Sequence, residues 1–180
     1  MQLTTPRLLL RELRLEDWAD AQVLDADPLV VRYQSNDVLD EAGTKAYLSR
    51  SIVAAQENPR RSFDFAITEP GVDRFLGRVG LRIERPEHRE AQVWFTLRRD
   101  RWGQGLASEA LKSLLEFGFS ELRLHRAYGD CDPRNLASAK LMERMGMKRE
   151  ALLRENWWVK GEWADSFIYG VLEQEWPTAK

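Results

Sequence analysis

The chain has 180 residues, 27 Lys and Arg against 29 Asp and Glu, and a formal charge of −2, which excludes nucleic-acid binding by bulk charge and leaves room for one domain with a real core. Its one cysteine excludes an internal disulfide, and Cys131 with the separated His88 and His125 makes no zinc-ligand set. No run spans a bilayer, and Leu8-Leu9-Leu10 between Arg7 and Arg11 is too short for a secretory signal, so a cytoplasmic protein without a metal is expected.

In chain order, Leu3 to Arg14 reads as a first strand. Glu16 to Ala26 reads as a short helix with Trp18, Ala21 and Leu24 inward. Asp27 to Leu39 is a loop. A helix follows from Asp40 to Glu57, with Thr44, Tyr47, Leu48, Ser51, Ile52 and Ala55 on one face, ended by Asn58-Pro59. Phe63, Phe65 and Ile67 alternate as in a second strand, and Val79, Leu81 and Ile83 as in a third, with Pro70-Gly71 at the turn between them. After a charged connector from Glu84 to Glu90, Val93, Phe95 and Leu97 alternate in a fourth strand. Ala127 to Cys131 reads as a fifth. Asp132-Pro133 opens a helix that runs to Met145, with Gly146 as its left-handed cap. Two last strands, Arg149 to Val159 and Trp163 to Leu172, meet at Lys160-Gly161-Glu162. The sum is an α+β fold, a mixed and largely antiparallel sheet flanked by helices.

Between the fourth and fifth strands lies Arg101-Trp102-Gly103-Gln104-Gly105-Leu106-Ala107-Ser108-Glu109-Ala110-Leu111. A glycine turn runs into a helix whose residues Ala107, Ala110, Leu111, Leu114 and Leu115 share one apolar face. The first amides of a helix have no partner within it and carry the positive end of its dipole. Glycines let that backbone come close to a ligand. The product is a cradle for phosphate or pyrophosphate. A P-loop is not matched, because the Gly-Lys-Ser/Thr ending is absent, which weakens a nucleotide-binding reading and leaves it to a test with ATP. A dinucleotide fingerprint is excluded because Ser108 stands where the third glycine belongs.

Trp102 to Leu111 resembles the acetyl-coenzyme A signature of the GNAT superfamily of N-acetyltransferases, nearest its RimJ/RimL-like branch. Gly105 and Ala107 fit the last two fixed positions of the pattern Arg/Gln-x-x-Gly-x-Gly/Ala, and Trp102 departs from the first. Thr5-Pro6-Arg7-Leu8 to Arg11 is similar to the start of the same group, so the resemblance runs from residue 4 to the C-terminus, as one N-acetyltransferase domain over 1–180. It implies a sheet splayed between its fourth and fifth strands. It implies that Phe95, Thr96 and Leu97 bind the pantetheine arm of acetyl-CoA, a cosubstrate used without a metal, and that Trp102, Gly103, Gln104, Gly105, Leu106, Ala107 and Ser108 hold its pyrophosphate. The loop and helix between Asp27 and Glu57 then lie over the acceptor cleft.

A second constellation is Asn135-Leu136-Ala137-Ser138 on a helix ending Glu143-Arg144-Met145-Gly146. On the residues alone, Asn135 caps the helix and Ser138 makes a local backbone bond. The resemblance implies instead that Asn135 binds the pantetheine and that Ser138 is the catalytic residue protonating the departing thiolate, directly or through water. The general base is open among Glu90, Glu155 and Asp165. The tryptophans of the last hairpin read either as packing or as an aromatic wall for the acceptor, and Trp158 to Ser166 is similar to the family's Gly-x-Trp-x-Asp segment. The implied function is acetyl transfer to a primary amine, a protein N-terminus or a small molecule, with a homodimer possible. The alternative is a non-catalytic acyl-CoA-binding regulator.

Overall fold

A computed structural model describes residues 1–177. One sheet of eight strands has the order β1-β2-β3-β4-β5-β6-β8-β7. Its strands are β1 (Gln2–Thr4), β2 (Leu9–Glu12), β3 (Ser62–Thr68), β4 (Phe75–Arg85), β5 (Glu90–Leu97), β6 (Arg126–Cys131), β7 (Lys148–Val159) and β8 (Glu162–Leu172). Every neighbouring pair is antiparallel except β5 and β6, which run parallel. Five helices flank it: α1 (Trp18–Asp25), α2 (Pro28–Val31), α3 (Glu41–Ala54), α4 (Leu106–Ser120) and α5 (Leu136–Arg144).

The apolar pattern of each strand sorts the two faces. Phe63, Phe65, Ile67, Val79, Leu81 and Val93 join Leu111, Leu114, Leu115 and Met142 in the larger core, under α4 and α5. Ala66 and Phe75 join Ala21, Leu24 and Leu48 in a smaller core, under α1 and α3. β3 is therefore covered on both sides, and the alternation of large and small side chains along it matches a deep face and a shallow one.

Three sequence expectations are corrected. The first strand is two strands. Thr5-Pro6-Arg7 folds back, with the Thr5 N–H donating to the Leu8 carbonyl at 2.9 Å, and proline presets the backbone of such a turn. All later strands are renumbered by one, and the splay lies at the expected place, after the strand that carries Val93, Phe95 and Leu97, here between β5 and β6. The Asp27–Leu39 loop contains α2, where the Asp27 carboxylate accepts from the Leu29 N–H at 2.9 Å and Pro28 takes the first position. The last helix starts at Leu136, three residues after Pro133, because the Asp132 carboxylate takes the Arg134 N–H at 2.8 Å and makes a separate turn.

Candidate active site

β5 and β6 stay in register only at Glu90↔Arg126, Ala91↔Ala127 and Gln92↔Tyr128. From Val93 onward the strands part, and the side of β5 that faces away from β4 has no ladder partner. A cleft of about 1340 Å³ occupies the gap, larger than a typical small-ligand pocket. Gln92 spans its narrow end by donating to Asp130 at 2.7 Å.

Phe95, Thr96, Leu97, Trp102, Gly103, Gly105, Leu106, Ala107, Ser108, Asn135 and Ser138 all line this cleft. Gln104 does not. Its carbonyl accepts from Arg7 Nη1 at 2.9 Å, and its side-chain amide donates to the Asp100 carbonyl at 3.2 Å. The Trp102 indole N–H donates to the Leu97 carbonyl at 2.9 Å, so that carbonyl at the end of the open edge is already taken. Thr96 is held from the other side by Gln34, whose amide meets its hydroxyl at 3.2 Å.

The glycine turn has the geometry its sequence requires. Gly103 has φ of 74° and Gly105 of 77°, in the left-handed region where side chains are strained. Gly105 caps α4, and the Glu109 N–H to the Gly105 carbonyl, at 3.1 Å, opens the helix ladder. The N–H groups of Leu106, Ala107 and Ser108 precede it and stand without helical partners. A brace that the sequence did not reveal steadies this turn. Glu109 accepts from the Thr5 hydroxyl at 2.6 Å, from the Arg7 N–H at 2.9 Å and from Arg7 Nε at 2.6 Å. These bonds hold the Glu109 carboxyl below its usual range, although partial burial opposes them. Arg144, at the end of α5, donates to the Ser108 hydroxyl at 3.1 Å and so ties α5 to the same turn.

Asn135 caps α5, its Oδ1 accepting from the Ser138 N–H at 3.2 Å. The cap reading is therefore realised, yet it uses only the carbonyl end of the amide. The Asn135 NH2 and the Ser138 hydroxyl have no hydrogen-bond partner among the described residues. Cys131 also lines the cleft, but burial pushes its thiol up to about 12, which removes it as a nucleophile at neutral pH.

The base candidates separate clearly. Glu90 is bound by Arg126 at 2.8 Å at the paired end of β5. Glu155 is exposed and is not among the lining residues. Asp165 lines the cleft and accepts from the Glu155 N–H at 2.7 Å, a bond that ties β7 to β8 within the last hairpin. Of the hairpin tryptophans, Trp157 lines the cleft, whereas Trp158 and Trp163 pack edge to face on each other at 5.3 Å and are exposed. Trp176 is buried and stacks on Phe119 at 5.6 Å. The hairpin tip reaches across the cleft, where Lys160 donates to the carbonyls of Val31 and, at 3.2 Å, Arg32.

Among the described residues no group of three His, Cys, Asp or Glu side chains is placed to hold a metal ion. No described helix is long and apolar enough to cross a membrane.

The acetyltransferase (GNAT) domain model matches residues 7–148. YnaD of Bacillus subtilis, an uncharacterized N-acetyltransferase, is 31% identical over 176 residues, 98% of this chain and 99% of that one. The crystal structure of a GNAT-family acetyltransferase from Bacillus anthracis superposes with a TM-score of 0.87 at 27% identity, covering 97% of this chain and all of the other. RimJ of Mycobacterium smegmatis, solved in complex with CoA-disulfide, shares the fold with a TM-score of 0.84 at 22% identity, over 99% of this chain and 89% of that one.

Proposed function

This chain belongs to the GNAT acetyltransferase family, and from that premise we propose that residues 1–180 form one N-acetyltransferase domain that moves an acetyl group from acetyl-CoA to a primary amine by direct attack in a ternary complex. It is an acetyl-CoA-dependent enzyme with RimJ/RimL-like relatives. The observation that carries the reading is the pairing of an open strand edge on β5 with a left-handed glycine turn that presents unpartnered amides. An extended pantetheine arm adds to such an edge through backbone bonds. A pyrophosphate suits the amides of Leu106, Ala107 and Ser108.

The residues present fit this cosubstrate. Phe95 and Thr96 border the pantetheine and Asn135 offers its free NH2 to it. Gly103 and Gly105 let the phosphates approach, with Trp102 closing the strand end rather than binding them. Acetyl-CoA, when bound, supplies the activated acyl group. The acceptor must be neutral to attack, so its ammonium proton leaves by a base or a water chain. A β5 N–H near Phe95 stabilises the developing oxyanion. Ser138 faces the same cleft and delivers a proton toward the departing thiolate. Much of the rate then comes from holding two substrates together. The acceptor is a protein N-terminal amine or a small-molecule amine, and the compartment is cytoplasmic.

Thermal unfolding with acetyl-CoA, ATP and NAD added separately tests the assignment. Acetyl-CoA at about 100 times its dissociation constant should stabilise the fold by about 2.7 kcal/mol. A larger shift with ATP, or none with acetyl-CoA, removes the reading. For Ser138→Ala, kcat should fall roughly 10²-fold, the low end for a positioned proton donor, while the KM for acetyl-CoA stays within about twofold. An unchanged kcat takes Ser138 out of the mechanism.

A further inference from the structure

β7 ends the sheet, and ten of its twelve residues are exposed. Leu152, Leu153, Trp157 and Trp158, with Trp163 across the hairpin, are 43–61% exposed. Single exposed apolar side chains are ordinary, but five on one hairpin make a patch of the kind that marks an interaction surface. An edge strand is usually blunted by charge, proline or a bulge. β7 has register shifts between Arg149 and Ala151 and between Leu153 and Trp157. The regular run left between them, Ala151-Leu152-Leu153, pairs with Ile168, Phe167 and Ser166 on its inner side and carries no charge. On its outer side the sheet offers its backbone groups no partner.

The charges that flank this run are arranged about its centre. Arg149-Glu150-Ala151-Leu152-Leu153-Arg154-Glu155 meets its own copy with opposite charges when two strands lie antiparallel about Leu152. Leu152 then faces the partner subunit's Leu152, and Ala151 faces the partner subunit's Leu153. Outward from these, Arg154 faces the partner subunit's Glu150 and Arg149 faces the partner subunit's Glu155. Twofold symmetry makes each of these contacts twice. Centring the pair on Ala151 or Leu153 instead sets charges against apolar side chains. Within one chain Glu150 is held by Arg126, whereas Arg149, Arg154 and Glu155 make no ion pair among the described residues. Arg149 leans over the Phe167 ring at 4.6 Å.

We propose that β7 is a homodimer interface, at which a second copy of this chain adds antiparallel to the sheet about a twofold axis at Leu152. The charge pattern singles out a second copy as the occupant, because the pattern complements itself. A standard interface removes about 800 Å² from each partner, more than the Ala151–Leu153 run supplies. Trp157 and Trp158 extend the contact, since antiparallel pairing carries them alongside the start of the partner's strand. The same hairpin borders the cleft through Trp157 and Lys160, so the dimer braces one wall of each candidate site. The inference does not rest on the acetyltransferase reading.

Sedimentation velocity of the full chain over a range of concentrations, about 1 to 100 µM, reads the assembly without any substrate, because a dimer's population depends on protomer concentration. The wild type should run at twice the mass of the chain. Leu152→Glu sets two like charges directly opposite at the axis and should run as a monomer, its fold checked by circular dichroism. Arg149→Glu and Glu155→Arg each turn both outer pairs into like-charge contacts and should weaken the dimer by roughly tenfold or more. The double variant Arg149→Glu/Glu155→Arg restores opposite charges and should recover the dimer, a recovery that a merely misfolded variant does not show. A wild type that stays monomeric over the whole range, a dimer that survives Leu152→Glu, or a double variant as weak as the single ones overturns the proposal.

Discussion

Arg78→Met should lower the stability of the fold by about 3–5 kcal/mol, the usual cost of removing one partner of a buried ion pair. At this chain length that is a fall in Tm of roughly 10 °C. Arg78 is 4% exposed and Asp25 is 1% exposed. The guanidinium bonds both Asp25 oxygens, stacks on the Tyr47 ring at 3.9 Å and lies close enough to Asp64 to favour its ionised form. Methionine fills much of the same volume, so the loss is chiefly electrostatic. It strands Asp25, whose remaining side-chain donor is the Thr44 hydroxyl at 3.0 Å. The double variant Arg78→Met/Asp25→Asn should recover most of the stability, because a neutral replacement of a buried pair is often tolerated. Denaturant unfolding of the two variants and the wild type checks both statements. A single variant within about 1 kcal/mol of the wild type would mean that water already reaches Asp25.

The legibility of this molecule in its sequence follows the range of each interaction. Period-two alternation located β3, β4 and β5, since the two faces of a strand are told apart within five residues. The left-handed positions were also local signals. Gly146 ends α5 with φ of 76°, and Lys160 and Gly161 turn the last hairpin with φ of 52° and 79°. The turn at Pro6 was hidden because Leu3 and Leu8 to Leu10 read as one apolar run. α2 is only four residues long, too short for any helical period to show. The strands β7 and β8 were found, but the exposure of β7 along nearly its whole length was not, because alternation reports a pattern and not a partner.

The candidate site divides in the same way. The glycine turn and the Asn135-x-x-Ser138 pair are contiguous motifs. The contacts that support them are not: Thr5 and Arg7 meet Glu109 across more than a hundred positions. Arg78 meets Asp25 at a separation of 53, and Tyr47 and Ser51 on α3 meet Asp64 on β3. No local period encodes such pairs. Gln104 shows the converse limit, since it lies inside the motif yet spends both its carbonyl and its amide on the protein.

Gly105→Val should remove acetyl-CoA binding, a fall in affinity of at least about 100-fold, and with it the stabilisation of about 2.7 kcal/mol expected at high ligand. Space is not the obstacle, for a Cβ at Gly105 would meet only Arg7 Nη2, at an ordinary 3.6 Å. The obstacle is φ of 77°, which a β-branched residue adopts at a cost of about 1–3 kcal/mol. The turn relieves that strain by rotating the peptide at the head of α4, and the amides of Leu106, Ala107 and Ser108 then no longer converge on one point. Arg7 and Glu109 hold the remainder of the turn in place, so the distortion stays local and the sheet folds. Gly71→Val is the control. Gly71 has φ of 80° in the turn between β3 and β4 with nothing within 4 Å, so it carries the same backbone strain away from the cleft. It should lose comparable stability and keep the full acetyl-CoA shift. Calorimetric titration of acetyl-CoA into the three proteins reads the difference directly. Undiminished affinity in Gly105→Val would move the pyrophosphate off this turn, whereas loss in both variants would mean that strain anywhere in the sheet is enough to close the cleft.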